Sequence, residues 1–262
     1  MDYQYILVDV KDRIATVTIN RPEYSNAFAR ESYYEIADAM NTLGARDDVG
    51  VIVITGAGKH FSAGGDIKRF KMLVDTKTYL KAEDIEAVSA MPISIRNCPK
   101  PVIAMINGVA TGAGLSCALA CDFRIVEPSS KMIMAFVNMG LCGDNESIYT
   151  LTRLLGPDKA ELMMMTGDAY KGEQCVKIGL ATVLAEDGKL AETTYALAAK
   201  LAAKSSTAHA GQKRLIRKYF YGGMENFAKD EGIEMAAASR QPDFTEAVNA
   251  FIEKRMPAYN LP

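Results

Sequence analysis

Two glycine-rich turns, residues 60–67 (HFSAGGDI) and residues 107–114 (NGVATGAG), are the segments of this chain best suited to chemistry. Each follows an apolar, strand-like run and precedes a segment able to form a helix. The first residues of a helix carry backbone N–H groups with no helical partner. Two such turns directed at one point make a site for a negatively charged oxygen, as in an enolate or a tetrahedral intermediate. Side chains around that point then select the reaction.

The rest of the composition narrows the field. A net charge of −2 provides no basic field for nucleic acid or an anionic membrane, so neither partner is expected. The 49% apolar and 24% charged content suits a soluble globular protein. Five cysteines (Cys98, Cys117, Cys121, Cys142, Cys175) form no CxxC pair and read as reduced thiols. The two histidines, His60 and His209, are far apart, and no metal site is expected. The first residues follow a strand pattern, not a signal-peptide pattern. No apolar run approaches the roughly 18 residues of a membrane span. A reduced, cytoplasmic location is the expectation.

Positioning the two turns requires an α/β framework. Residues 5–10 and 14–19 read as two strands around a tight break at Lys11-Asp12-Arg13. Residues 30–43 place Tyr33, Ile36, Ala37 and Met40 at helical spacing. Residues 51–56 (VIVITG) form a continuous β-branched run, expected of a strand buried on both faces. Residues 70–98 read as weakly patterned helix interrupted at Met91-Pro92, and the part up to residue 92 would shape any pocket. Residues 101–106 are a second buried strand, followed by a small-residue helix to Ala120, with short strands at 123–126 and 132–134. From Leu151 the pattern is mostly helical. The alternation predicts stacked β-turn-α units, with a core over residues 1–200 and a helical region over 201–262.

Several segments, in order, resemble the crotonase (enoyl-CoA hydratase/isomerase) superfamily. They are Ile19-Asn20-Arg21-Pro22-Glu23 with Asn26-Ala27, Phe61-Ser62-Ala63-Gly64-Gly65-Asp66-Ile67, and Pro99-Lys100-Pro101-Val102-Ile103-Ala104 with Asn107-Gly108-Val109-Ala110. Gly112-Ala113-Gly114, Cys121-Asp122, Thr166-Gly167, Gly179-Leu180 and Phe251-Ile252-Glu253-Lys254-Arg255 follow. The resemblance implies a spiral of ββα turns with a helical C-terminal trimerisation region, as a homotrimer or a dimer of trimers. It implies an acyl-CoA thioester as substrate, with coenzyme A as part of that substrate and no separate cofactor. The backbone N–H groups of Gly65 and Ala113 would hold the thioester oxygen. Tyr24, Ser25, Ala63, Gly64, Asp66, Ile67 and Lys68 would flank the coenzyme A moiety, and Lys254 would reach a neighbouring subunit's ligand. Read without the resemblance, Asp66 is a helix N-cap, and Lys68 and Lys254 are solvated charges.

The family's hydratases use two glutamates, at positions that here hold Ser116 and Phe136. A serine hydroxyl without a partner is a poor base, and a phenyl ring exchanges no proton. Residues 135–144 (AFVNMGLCGD) instead resemble the ring-1,2-epoxyphenylacetyl-CoA isomerase branch, which uses one aspartate. Dienoyl-CoA isomerases and 4-chlorobenzoyl-CoA dehalogenases also carry an aspartate where this chain has Asp144. The dehalogenases pair it with a tryptophan and a histidine, and this chain has no tryptophan. The resemblance therefore implies an enoyl-CoA isomerase with Asp144 as acid and base. Hydration remains the rival reading, with Glu146 assisting. A non-catalytic acyl-CoA-binding protein is a third. Phe136, Ser116 and Glu146 are expected near the acyl pocket. Asp144, with Ser147 three residues on, also reads as a helix N-cap.

Overall fold

The computed structural model describes residues 3–259. Its elements run β1 (Ile6–Lys11), β2 (Ile14–Ile19), α1 (Arg30–Ala45), β3 (Val51–Gly56), α2 (Ile67–Asp75), α3 (Ala82–Val88) and α4 (Ala90–Asn97). Next come β4 (Val102–Met105), β5 (Val109–Thr111), α5 (Ala113–Ala120), β6 (Phe123–Val126), β7 (Lys131–Ile133), α6 (Ser147–Leu155) and α7 (Pro157–Thr166). Then follow β8 (Ala169–Lys171), α8 (Gly172–Ile178) and β9 (Val183–Leu184). The chain closes with α9 (Leu190–Ala202), α10 (Ser206–Tyr219), α11 (Met224–Ala238) and α12 (Pro242–Glu253).

The main sheet has the order β1-β2-β3-β4-β6-β9, antiparallel only between β1 and β2. Asp12 and Arg13 adopt φ of 51° and 64°, the left-handed pair that a tight two-residue hairpin turn demands. All six residues of β3 are buried because the strand has a core on each side. Val51 and Val53 pack with Ile103, Ile125, Ala198 and Ala202, so α9 covers one face. Ile52 and Ile54 join the larger core with Ile36, Met40 and Leu43 of α1. A smaller sheet has the order β5-β7-β8. Single bridges pair Phe28 with Gly65 and Ser62 with Ala110, so successive units of the spiral lie edge to edge.

This is the expected α/β spiral with a helical C-terminal region, and three local differences have physical causes. The helix break falls at Ser89, and Pro92 sits in the first turn of α4. There its missing N–H removes no helical hydrogen bond. The short strands β8 and β9 interrupt a stretch that reads as helical. They are two or three residues long and exist by pairing with β7 and β6. The C-terminal helices also fold back on the core, with α11 against α3 and α12 against α2. Among the described residues no helix is long and apolar enough to cross a membrane.

Candidate active site

The first glycine turn is fixed by buried polar groups. Asn26 Nδ2 donates to the carbonyls of Ala57 (2.8 Å) and His60 (2.6 Å), and its Oδ1 accepts the Arg21 N–H at 2.9 Å. Ser62 Oγ donates to the Asn26 carbonyl at 2.8 Å and accepts the Gly64 N–H at 3.1 Å. The second turn is laced to the first. The Ser62 N–H donates to the Val109 carbonyl at 3.0 Å, and the Thr111 N–H to the Ser62 carbonyl at 3.1 Å. Gly64 has φ of +85°, and a Cβ there would lie 2.7 Å from the Thr111 carbonyl oxygen and 3.4 Å from Ala113 N. Only glycine allows the turns to approach this closely. Ala113 opens α5, so its N–H is one of the orphan donors of a helix start. Among the described residues, neither the Gly65 nor the Ala113 N–H donates a hydrogen bond.

Gly65, Ala113 and Asp144 line one cavity of about 350 Å³. Its walls are mainly apolar, with Phe28, Phe70, Leu80, Ile85, Val88 and Phe136 among them. Two carboxylates border it. Asp66 caps α2, accepting the Lys68 N–H at 3.0 Å and pairing with Arg21 at 3.1 Å. Asp144 is held otherwise. Its main-chain oxygen accepts the Ser147 N–H and the Ser116 hydroxyl, both at 3.2 Å. Its Oδ1 accepts Asn145 Nδ2 at 2.6 Å. Burial pushes the carboxyl up to about 6, opposed by the Asn145 hydrogen bond and the Arg69 charge. Tyr33, also on the cavity wall, is driven well above its ordinary value by burial and by the Asp144 charge.

Of the residues singled out by sequence, Ala63, Gly65, Asp66, Ile67, Ala113, Phe136 and Asp144 converge on this cavity. Gly64 lies at the junction of the two turns. Ser116 and Glu146 do not line the cavity, and both pocket assignments are corrected. The Ser116 hydroxyl turns back to the carbonyls of Gly112 and Asp144, each at 3.2 Å. Glu146 is fully buried in a left-handed conformation (φ 50°) whose N–H donates to Glu231 Oε2 at 2.7 Å. The helix-cap reading of Asp144 also falls, because α6 begins at Ser147 behind Glu146 and no side chain caps it. Tyr24 and Lys68 sit outside the cavity, with Lys68 Nζ 4.4 Å and Arg21 Cζ 4.7 Å from the Tyr24 ring centre. The Ser25 carbonyl supports the first turn by accepting the Ala63 N–H at 3.0 Å. Lys254 is the exposed residue ending α12, whereas Phe251, one turn earlier, reaches the cavity wall.

Tyr33, Arg69 and Met235 also line the cavity and carry no motif of their own, and Phe251, quoted within the C-terminal family segment but given no role, lines it too. Arg69, beside Lys68 at the start of α2, was within reach of helix-face reasoning. Met235 and Phe251 arrive from helices distant in sequence, and only the packing of α11 and α12 places them on the cavity wall.

A family model described as enoyl-CoA hydratase/isomerase matches residues 9–261. The chain is 32% identical over 260 residues to a trans-2-decenoyl-[acyl-carrier-protein] isomerase of Streptococcus mutans, covering 99% of both chains. It is 30% identical over 257 residues to a 1,2-epoxyphenylacetyl-CoA isomerase of Escherichia coli, covering 98% of both. A crystal structure of an enoyl-CoA hydratase from Mycobacterium avium subsp. paratuberculosis superposes with a TM-score of 0.89 at 26% identity, over 99% of this chain and 100% of that one.

Proposed function

The chain belongs to the enoyl-CoA hydratase/isomerase family, and from that premise we propose that it moves a carbon–carbon double bond in an enoyl thioester, with Asp144 as the only acid–base group. The observation carrying this reading is that Asp144 shares a cavity with Gly65 and Ala113 and, among the described residues, is the one cavity carboxylate without an ion pair. The Asp144 carboxylate takes a proton from the α-carbon of a 3-enoyl thioester. The released electron pair forms a dienolate whose charge rests on the thioester oxygen, held by the Gly65 and Ala113 N–H groups. Protonated Asp144 then returns the proton to the γ-carbon, giving the 2-enoyl thioester with no net change in oxidation state. A base poised at about 6 is ionised near neutrality and still a competent acid in the return step.

The family's hydratases serve the water with two acid–base groups, one accepting and one delivering a proton. Ser116 is tied to carbonyl oxygens, Phe136 is apolar, and Glu146 is buried without lining the cavity. The apolar walls favour a hydrocarbon acyl chain and help to exclude water. The carrier is read as coenzyme A. The acyl-carrier protein named for the Streptococcus mutans relative is the alternative carrier for the thioester. Exposed Leu215, Ile216, Tyr219 and Phe220 at the end of α10 support association into trimers.

The test is product analysis with 3-hexenoyl-CoA and crotonyl-CoA in heavy-oxygen water. A shifted double bond without heavy oxygen is the expected result. Incorporation of heavy oxygen at a comparable rate would establish hydration in its place.

A further inference from the structure

Beneath the cavity lies a second group of carboxyls that the reaction above does not use. Glu146 is completely buried, and neither of its carboxyl oxygens has a hydrogen-bond partner among the described residues. The Ser89 hydroxyl faces it without reaching hydrogen-bond geometry, and lies 3.4 Å from the Ile85 carbonyl. Glu231 on α11 is 3% exposed, and its Oε2 accepts the Glu146 main-chain N–H at 2.7 Å. Its Oε1 has no hydrogen-bond partner among the described residues, although the Ile148 N–H faces the carboxyl. Burial pushes Glu146 up to about 9 and Glu231 up to about 8, so both are predominantly neutral near pH 7.

The placement of that one hydrogen bond matters. Asn145 and Glu146 are consecutive non-glycine residues in the left-handed region, at φ of 55° and 50°. Such residues cost on the order of 1–3 kcal/mol each and persist only where their surroundings hold them. Asp144 immediately precedes this pair. Its own main-chain oxygen is held by Ser116 and Ser147, but the far side of the turn is held by Glu231. Glu231 is itself firmly seated. A Cβ on the adjacent Gly232 would come within 2.9 Å of the Ala82 carbonyl oxygen, so α11 packs closely on the start of α3. One helical turn after Glu231, Met235 lines the cavity.

We propose that Glu231 is a positioning residue for Asp144: its side-chain oxygen anchors the Glu146 N–H and thereby fixes the left-handed turn that presents the Asp144 carboxyl to the cavity. The proposal rests on the reading of Asp144 as acid and base. What Glu231 supplies is an acceptor at a set reach, not a charge. Glu231→Gln keeps an oxygen at that reach, whereas Glu231→Asp withdraws it by one carbon–carbon bond, about 1.5 Å.

The experiment is steady-state kinetics of both variants on 3-hexenoyl-CoA, with thermal unfolding of each measured alongside. Glu231→Gln is expected to keep kcat within about threefold, and Glu231→Asp to lose about 10²-fold in kcat with KM within about threefold, the cost of misplacing a catalytic group by an ångström or so. In an Asp144→Asn background, Glu231→Asp should cause no further loss, because a residue acting through Asp144 has nothing left to position. Undiminished kcat in Glu231→Asp, or a further loss in the Asp144→Asn background, would overturn the proposal. So would a Glu231→Asp variant that unfolds, or one whose KM rises with the fall in kcat, since either marks general support of the fold. Full turnover by Asp144→Asn alone would instead remove the acid–base reading on which the proposal stands.

Discussion

Around Gly64 and Gly112 the backbone is held by a set of hydrogen bonds, with Asn26 and Ser62 satisfying carbonyls and N–H groups of the loops that flank the first turn. Around Asp144 the chain passes through two strained left-handed residues into a group of buried carboxyls, several of whose oxygens lack partners among the described residues. The two regions meet at one cavity and supply different things. The glycine turns provide fixed N–H groups whose properties do not change with pH. The Asp144 turn provides a titratable group whose behaviour is set by burial, by the adjacent Asn145 amide and by the Arg69 charge from α2. In the proposed reading, a site for a negative oxygen is built locally from backbone, while the proton-transferring group depends on tertiary contacts. The reaction can be altered in the second region with the first left intact.

The largest break in this comparison is Asp144→Asn, which leaves the glycine turns whole. Turnover of 3-hexenoyl-CoA is expected to fall about 10²–10⁴-fold while the thioester still binds. Gly64→Ala strikes the other region. A methyl group 2.7 Å from the Thr111 oxygen must push the turns apart, and kcat should fall about 10²–10³-fold with the Asp144 pH dependence unaltered. The pH profile sharpens the contrast further. Activity should rise as pH increases through about 6, where Asp144 loses its proton and becomes a base.

Stability should run the opposite way. Glu146 and Glu231 have folded-state values raised to about 9 and about 8, above the ordinary carboxyl range. Their neutral forms favour the folded state fully below about 4.5, and that contribution is lost as pH rises through 8 and 9. Thermal unfolding should therefore occur at lower temperature at pH 9 than at pH 5. Glu146→Gln should reduce that difference, raising Tm at pH 9 with little change at pH 5. The smallest effect is expected outside the cavity. Lys68→Ala removes a cation at a position expected to flank the coenzyme A moiety and should raise KM about 2–5-fold with kcat unchanged, the scale of one exposed charge contact.

The same contrast explains what could be read in advance. The β3 run was legible because Val51 and Val53 face one core and Ile52 and Ile54 the other, so every position must be apolar. The glycine turns were legible because positive φ and close approach leave no alternative residue at Gly64. Asp66 as a helix cap was legible from its place before α2. Asp144 was found through the resemblance of residues 135–144, but its surroundings were not. Glu231 and Met235 lie on a helix nearly ninety residues later, Glu231 85 positions from Glu146, and no local period marks them as neighbours. Glu146 was misplaced for a related reason. A helix beginning at Asp144 would have turned it differently, whereas two left-handed residues send its side chain under the cavity wall.

The most direct measurement follows the proton. Wild-type and Asp144→Asn proteins are given 3-hexenoyl-CoA deuterated at its α-carbon, and the 2-hexenoyl product is examined for label at the γ-carbon together with the rate of its formation. Transfer of a measurable share of the label by the wild type, with both rate and label lost in Asp144→Asn, is the outcome expected of one carboxylate serving both carbons. Equal rates and equal label in the two proteins would contradict it.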